Sequence, residues 1–461
     1  MKNMYSPLAR ATDKEILRLA WPCIMESLFA TLVGFVDTAM VGSLGAHATA
    51  AIGAVSAFTW FNHSLLAMIS VGGTAIVARL VGARQMDEAE SIAGQVFWMA
   101  LCLSIFQFVF VQTCAPFVPA LLQADPSLHA DSALYLRCLS LGFIINHTAQ
   151  CLGGLLRGAG DTKTSMMSGM IANVLNMVLN FLLIYESRTL EVLGLSIPMW
   201  GMGLGVAGAA IASALANSIA GAFVMVRMLG KKSVLHLRVC RVRDISFKVW
   251  HRVLRIGAPA AVERCAVNVG QMVFGAMISS IGVTAIAAHT LAIQIEGLGY
   301  MPAFGFATAA TALVGQRLGA GDKEGAAYAG KRAAKLALML LCGVGVCTYV
   351  FSHKLIALFT PDMDVRAVGA MLVMICSFEQ PFNALNSVFS GALQGAGDTR
   401  KPMVYSFVSM WCVRILLAWI FGVLLDLGVG AIWWCMVADL GCRAVLFTMR
   451  FYRGKWTDIK V

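Results

Sequence analysis

The sequence predicts an all-α polytopic membrane protein: twelve transmembrane helices in two six-helix lobes, related by pseudo-twofold symmetry about the membrane normal. Three observations lead there. Of 461 residues, 59% are hydrophobic and 13% charged, and the mean hydropathy is +0.77, too apolar for a chain that folds in water. Twelve apolar windows are each long enough to cross a hydrocarbon core, which takes about 20 helical residues. Finally, the second half of the chain repeats landmarks of the first at one ungapped offset.

The windows cover 19–44, 48–77, 91–113, 132–156, 165–185, 203–228, 253–281, 285–312, 333–351, 367–392, 403–425 and 429–449. Lipid offers no partner for free backbone groups, so only helices or a closed barrel can span it. Windows without strict alternation are helices. The first carries an acid, Asp37, in Gly34-Phe35-Val36-Asp37-Thr38-Ala39-Met40-Val41-Gly42. An ionised carboxylate inside a bilayer costs on the order of 2.5–3.5 kcal/mol, which makes it a functional hypothesis by default. Charged residues precede this helix and no small-residue cleavage site follows. It is therefore expected to remain as a span rather than leave as a signal peptide.

The formal charge of +11 is placed by topology, not by nucleic acid. Arg79, Arg84, Arg157, Lys163, Arg317, Lys323, Arg400, Lys401, Arg450 and Arg453 fall at one set of alternate loops. The opposite loops hold little more than Arg188, Lys354 and Arg366. Under the positive-inside rule both termini are cytoplasmic, in a cell (inner or plasma) membrane. The stretch between helices 6 and 7 is dense in Lys and Arg against the single acid Asp244. It reads as a topology determinant, with contact to anionic lipid as the alternative.

Gly154-Leu155-Leu156-Arg157-Gly158-Ala159-Gly160-Asp161-Thr162-Lys163 returns as Gly391-Ala392-Leu393-Gln394-Gly395-Ala396-Gly397-Asp398-Thr399-Arg400, an offset of 237. The same offset maps Pro22 onto Pro259, Glu26 onto Glu263, Gly82 onto Gly319 and Asn146 onto Asn383. The chain is thus an N-lobe of residues 1–228, a basic connector 229–252 and a C-lobe 253–461. Six helices per half give both halves the same orientation, which suits two lobes rocking about a central cleft. The paired Gly-Ala-Gly-Asp-Thr turns lack the Gly-Lys-Ser/Thr ending of a phosphate-binding loop. They are expected to be tight turns at Gly158 and Gly160, with Asp161, Thr162 or Ser165 capping helix 5 and the second copy doing the same before helix 11. The Gly82-Ala83 and Gly319-Ala320 stretches after helices 2 and 8 read as turns too.

Phe35-Val36-Asp37-Thr38 with Val41-Gly42, Ala287-Ala288-His289, Met301-Pro302-Ala303-Phe304-Gly305-Phe306, Val314-Gly315-Gln316-Arg317-Leu318-Gly319-Ala320-Gly321 and the paired Gly-Ala-Gly-Asp-Thr turns together resemble the multidrug and toxic compound extrusion (MATE) transporters. The resemblance covers essentially the whole chain. It implies a twelve-helix, two-lobed exporter of cationic or amphipathic compounds, driven by entry of protons or sodium ions. In many members the helix 1 acid, matched by Asp37, works with Asn and Asp residues on helix 5. This chain has Asn173, Asn176 and Asn180 there, with Asn180 where some relatives have Asp. Other branches use a helix 7 Glu, matched by Glu263, and a helix 10 Asp, whose position Asn383 takes. Neither set of acids is complete, so the resemblance leaves proton and sodium open, with Asp37 as a possible sodium ligand.

Depth supports the first site independently. Asp37 lies about seven residues, roughly 10 Å, from the outer end of helix 1. Asn180 lies at a similar depth on helix 5, which runs the same way. Asn173 and Asn180 share a face, with Asn176 at its edge. A carboxylate facing amides can ligate a hard cation or tune a proton site; amides that glue helices together are the alternative. The offset sends Asp37 to Phe274, Asn176 to Val413 and Asn180 to Leu417, so this group belongs to one lobe only. Glu26 and Glu263, four residues past their prolines, are repeat mates, which favours a structural role in satisfying groups the prolines free. Substrate or coupling chemistry is the other reading for Glu263. In the C-lobe, Glu379 and Arg414 both fall mid-membrane, and an ion pair between them is the plainest expectation. If Arg414 turns elsewhere, Glu379 becomes a ligand for a drug cation beside Gln380, Asn383 and Asn386. His289, Gln294 and Glu296 on helix 8 are weaker candidates.

The 26 Met and 25 Phe suit a cleft for flat apolar cations. The 13 Cys lie scattered through the windows with no Cys-x-x-Cys pair, so neither a disulfide framework nor a metal site is expected. No nucleophile set or cofactor fingerprint is present, so the expectation is a monomeric transporter, not an enzyme, that needs no cofactor and meets small molecules and lipid. A flippase for lipid-linked saccharides of the same superfamily is the alternative. Such a protein wants several cations in its cleft, and the membrane-embedded bases are few, chiefly Arg264, Arg414 and Arg443.

Overall fold

The computed structural model describes residues 7–192, 195–230, 233–239, 241–459 and 461. Each window falls on one span: α1 Pro7–Gly42, α2 Ala46–Gly82, α3 Met86–Cys114, α4a His129–Ser140 with α4b Phe143–Gly158, α5 Thr162–Leu183 and α6 Gly205–Leu229. The second lobe holds α7 Phe247–Ser279, α8 Val283–Gly319, α9 Lys323–Ala357, α10 Met363–Gly395, α11 Arg400–Leu424 and α12 Gly428–Tyr452. Among the described residues ten of these helices are long and apolar enough to cross a membrane alone. The fourth span is bent by 56°. Its break is at Gly142, where a Cβ would stand 2.8 Å from the backbone of Ala214 on α6. The twelfth, α7, is made less apolar by Lys248, Arg252, Arg255, Glu263 and Arg264. It begins at Phe247, inside the stretch assigned to the connector, because its first turns are basic and amphipathic rather than apolar.

Three local expectations are corrected. The α5–α6 connection is not plain loop but an antiparallel hairpin, β1 Glu186–Val192 and β2 Leu195–Met202, in register Leu190 to Ile197. The polar–apolar alternation Thr189-Leu190-Glu191-Val192 is the period-2 signal for it. In the first Gly-Ala-Gly-Asp-Thr turn, Gly160 takes the positive φ of 94° and Asp161 caps α5 by accepting from the Thr164 amide at 3.1 Å. Gly158 instead packs against Thr74 of α2. In the second copy Asp398 does not cap; it accepts from Arg450 at 2.8 Å, while Thr399 donates to the Ile256 carbonyl.

The connector, whose residues 231, 232 and 240 lie outside the described set, folds back on the start of α3. Arg238 pairs with Glu90 at 2.6 Å and with Asp87 at 3.2 Å, and Gln95 Nε2 donates to the Asp244 carbonyl at 2.9 Å.

In space the first helix of each lobe reaches across to the other lobe at its inner half, while its outer half stays in its own lobe: Val41 of α1 packs with Ile184 and Ala209, and Phe274 and Ile278 of α7 pack with α8, α10 and α12. Ile16, Leu19 and Ala20 of α1 are buried in a core built by α8, α9, α10 and α12. Reciprocally, Val253 and Ile256 of α7 are buried against α2, α3 and α4b. The lobes are closed on the face that carries the termini and connector. There Arg79 donates to the Ala396 carbonyl at 2.9 Å and its repeat mate Gln316 donates to Gly158 at 2.9 Å. The glycines expected as turns make this approach possible. A Cβ at Gly82 would stand 1.8 Å from the Gln316 carbonyl oxygen, and one at Gly319 would stand 1.9 Å from that of Arg79. Both neighbours are backbone and cannot swing aside. Gly82→Ala with Gly319→Ala should therefore open this face. Spin labels at the exposed Arg84 and Glu324 report it as a longer distance than in the unsubstituted background, and an unchanged distance would refute the seal.

Candidate functional site

The structure assembles three polar groups inside the bundle. The first is the N-lobe acid. Asn180 Nδ2 donates to Asp37 Oδ1, and also to Asn176 Oδ1 at 3.3 Å. Asn176 in turn donates to the Ser213 hydroxyl of α6 at 2.9 Å. Asp37 is half-buried while Asn180 is fully buried, and Asn180 Oδ1 has no partner among the described residues. Tyr135 of α4a is an electrostatic neighbour of Asp37. Asn173 stays outside the group. Seven residues from Asn180 it keeps the same face but sits about 10 Å along the axis, whereas Asn176 is about 6 Å away and one turn off.

The second group is in the C-lobe, and here the expected pairing is corrected. Arg414 does not pair with Glu379; its Nε donates to Asp439 Oδ2 at 2.8 Å and its Nη1 to Gln271 at 3.0 Å. Arg443 grips the same carboxylate with two bonds of 2.8 Å, and the Ser409 hydroxyl adds another. Asp439 is fully buried, with Arg414 and Arg443 nearly so. Arg414 is carried by a stretch of wide π-type turns, Ser409–Ile415, which shift side chains around the axis of α11. One carboxylate thus faces two guanidiniums. The surplus charge is felt by Glu379 and Glu296, whose carboxyls adjoin, with Tyr300 beside Glu296. Cys376 donates a weak bond to Glu379 at 3.7 Å. Asn383 is buried next to Ser387, which donates to it at 3.1 Å, and His289 packs between Phe274 and Trp433.

Asp439 is the residue that sequence reasoning misses. Its signal is an acid four residues before Arg443, on one helix face in the middle of an apolar window. Glu296, a weaker candidate by sequence, belongs beside Glu379.

The third group lines a central cavity of about 800 Å³ between the lobes, with a connected lobe of about 300 Å³. Glu26 and Glu263 face it from α1 and α7, joined by Arg157, Arg264 and Arg443. Glu263 accepts from the Ser406 hydroxyl at 2.6 Å. Among the described residues neither glutamate binds backbone groups freed by Pro22 or Pro259, which corrects the structural expectation for them. Aromatic and polar walls alternate: Trp60, His63, Tyr300 and Phe304 with Asn146, Gln150, Asn217 and Asn386.

The MatE family profile matches residues 22–182 and 259–420, two matches that start one repeat offset apart. The chain is 30% identical to the "Probable multidrug resistance protein NorM" of Thermotoga maritima, over 96% of this chain and 93% of that one. It is 26% identical to the "Multidrug resistance protein MdtK" of Yersinia enterocolitica, over 95% and 94%. Among solved structures, a crystal structure of MATE in complex with MaL6 superposes with a TM-score of 0.87 at 23% identity, covering 96% of this chain and 97% of that one.

Proposed function

The chain belongs to the MatE family, the multidrug and toxic compound extrusion transporters, and from that premise we propose that it is a secondary antiporter. It exports cationic or amphipathic compounds in exchange for protons or sodium ions, as a monomer in a cell membrane with both termini in the cytoplasm. The observation that carries the reading is the Asp37–Asn180 contact, present in one lobe and absent from its repeat mate. An acid held by an amide at the mouth of a lobe can exchange its charge with the outside. When Asp37 takes up a cation, the carboxylate no longer needs solvent, and α1 can pack deeper on α5. The lobes then rock about the central cavity, which holds the drug. Ion and drug must prefer different states for the exchange to be obligatory.

The donor set fits either ion. Asp37, Asn176 and the unpartnered Asn180 Oδ1 are hard oxygen ligands suited to sodium. The same Oδ1 could instead accept a hydrogen bond from a protonated Asp37. Glu379 with Glu296 is the second-lobe candidate for cation chemistry; Glu263 serves the central cavity instead, and Asn383 lines the buried side of α10. Proteoliposomes loaded with ethidium separate the cases: with a proton gradient alone we expect export, and export driven by a sodium gradient alone reassigns the ion. No export under either gradient refutes the antiport.

The second reading, a flippase for lipid-linked saccharides, is favoured by one observation, the three arginines in the cavity wall. Competition of a short-chain polyprenyl pyrophosphate against ethidium export discriminates the two.

A further inference from the structure

The cations on the face that closes the lobes divide into two sets. Arg238, Arg252, Arg317, Arg332 and Arg450 each have a carboxylate within 4.0 Å. His251, Arg255 and Arg400 are exposed, and among the described residues their side chains have neither an ion pair nor a hydrogen bond. Yet these three line one groove, of about 510 Å³, between α7 and the start of α11. It shares no lining residue with the central cavity.

The groove is built like an amphiphile. Positions 251, 255, 258, 259 and 262 fall at helical spacing on one side of α7, and Arg400 and Met403 lie one turn apart on α11. The rim is cationic, and the floor is Ala258, Pro259, Val262 and Met403. Val262 lies seven residues, about 10 Å, beyond Arg255 along α7. Both Val262 and Met403 belong to apolar windows, so the groove descends from the headgroup level into the hydrocarbon.

The topology bias accounts for Lys and Arg somewhere on this face. It does not account for their convergence on one groove, nor for the repetition of the set. The offset of 237 sends His251 to Lys14, Arg255 to Arg18 and Arg400 to Lys163, with Pro259 on Pro22 and Met403 on Met166. Those three cations are exposed too, and among the described residues their side chains are equally without partners. The copies differ at the floor. Ala258 corresponds to Trp21, which is 61% exposed, and a methyl in place of an indole leaves the C-lobe groove open.

We propose that the groove between α7 and α11 binds an anionic phospholipid of the leaflet on the closed face. Arg255 and Arg400 hold its phosphate, His251 stands at the rim, and an acyl chain lies over Pro259, Val262 and Met403. Guanidinium presents a planar fork of donors that matches a phosphate with two parallel bonds. A soluble phosphate would leave the apolar floor uncovered, and a choline headgroup would bring a second cation to a cationic rim. The site is separate from the transport path and does not rest on the antiport reading.

Native mass spectrometry tests this on the purified full-length protein in detergent, given equimolar phosphatidylglycerol and phosphatidylcholine of the same chain length. Each arginine near a lipid phosphate is worth about fivefold, so the first bound lipid should favour phosphatidylglycerol about twentyfold. Arg255→Gln with Arg400→Gln should cut this preference about tenfold or more. Arg84→Gln with Arg241→Gln, which removes the same charge from the same face away from the groove, should change it less than about threefold. Ala258→Trp keeps every charge and fills the floor, so it should also lose most of the preference. Equal binding of the two lipids by the unsubstituted protein overturns the proposal. So does an equal loss in the two double variants, because the attraction is then diffuse, and so does an unchanged preference in Ala258→Trp. Displacement of the lipid by glycerol 3-phosphate at equal concentration also overturns it, because the anion site then serves a soluble phosphate. Should Ala258→Trp fail to fold, the paired glutamine variants, all at exposed positions, decide the matter alone.

Discussion

Ion-driven export of ethidium by Asp37→Asn should fall about tenfold or more, to the level of protein-free vesicles. The size follows from what the carboxylate does in the bilayer. An ionised acid moved from a half-exposed site into the hydrocarbon costs about 3 kcal/mol or more, whereas its neutral form costs little. At about 1.4 kcal/mol per decade, this difference biases the two states of the lobe by about two orders of magnitude. Asparagine is neutral throughout, so the bias no longer depends on the ion. The hydrogen bond from Asn180 Nδ2 to Asp37 Oδ1 can still form to the substituted amide oxygen, so folding and dye binding should persist. A reversal of the pair, Asp37→Asn with Asn180→Asp, separates coupling from structure. It returns the carboxylate to the same contact from the α5 side, and part of the export should return with it. Full export by Asp37→Asn, or no recovery in the swapped protein despite normal dye binding, counts against Asp37 as the coupling group.

The contact between Asp37 and Asn180 is legible in the sequence because depth along two parallel helices is a matter of counting residues from their outer ends. The twelve spans and the 237-residue repeat are legible for a similar reason. Hydropathy and an ungapped offset are one-dimensional properties, and the bilayer makes helices of every long apolar window. What the sequence withholds depends on rotation about helix axes and on which helices meet. Asn173 shares a face with Asn180, yet it is a turn too far down the axis to join the group. Depth alone matches Arg414 to Glu379. The π-type turns of Ser409–Ile415 aim it at Asp439 on α12 instead. The reach of the inner halves of α1 and α7 into the opposite lobe leaves no periodic trace, since neither helix confines its apolar residues to one face. The glycines of the two Gly-Ala stretches resemble turn residues because a helix end is where turns begin. Gly82 and Gly319 are instead required by a neighbouring backbone that only the assembled lobes supply.

Asp439→Ala should destabilise the C-lobe more than any other single substitution in these polar groups. The carboxylate is fully buried and holds Arg414, Arg443 and Ser409 at once. Its removal leaves two guanidiniums facing each other in a low dielectric with nothing between them. Breaking a buried ion pair in this way costs about 3–5 kcal/mol, because the surviving charge stays desolvated. Divided by an unfolding entropy near 2.1 cal/mol/K per residue, about 4 kcal/mol lowers Tm by about 4 °C if all of the chain unfolds together, and by about 9 °C if one lobe unfolds alone. Thermal unfolding of the purified protein in detergent reads the difference. Replacing all three ions, Arg414→Met with Asp439→Leu and Arg443→Met, should recover most of the lost stability, since a buried ionic triad is no more stable than a well-packed apolar one. That recovered protein is the informative one for function. Glu379 and Glu296 would then lack the positive surplus they adjoin. If export persists in the apolar triad with its ion dependence intact, the C-lobe cluster is scaffolding and coupling rests with Asp37; if export is lost while stability is regained, the cluster takes part in the transport cycle.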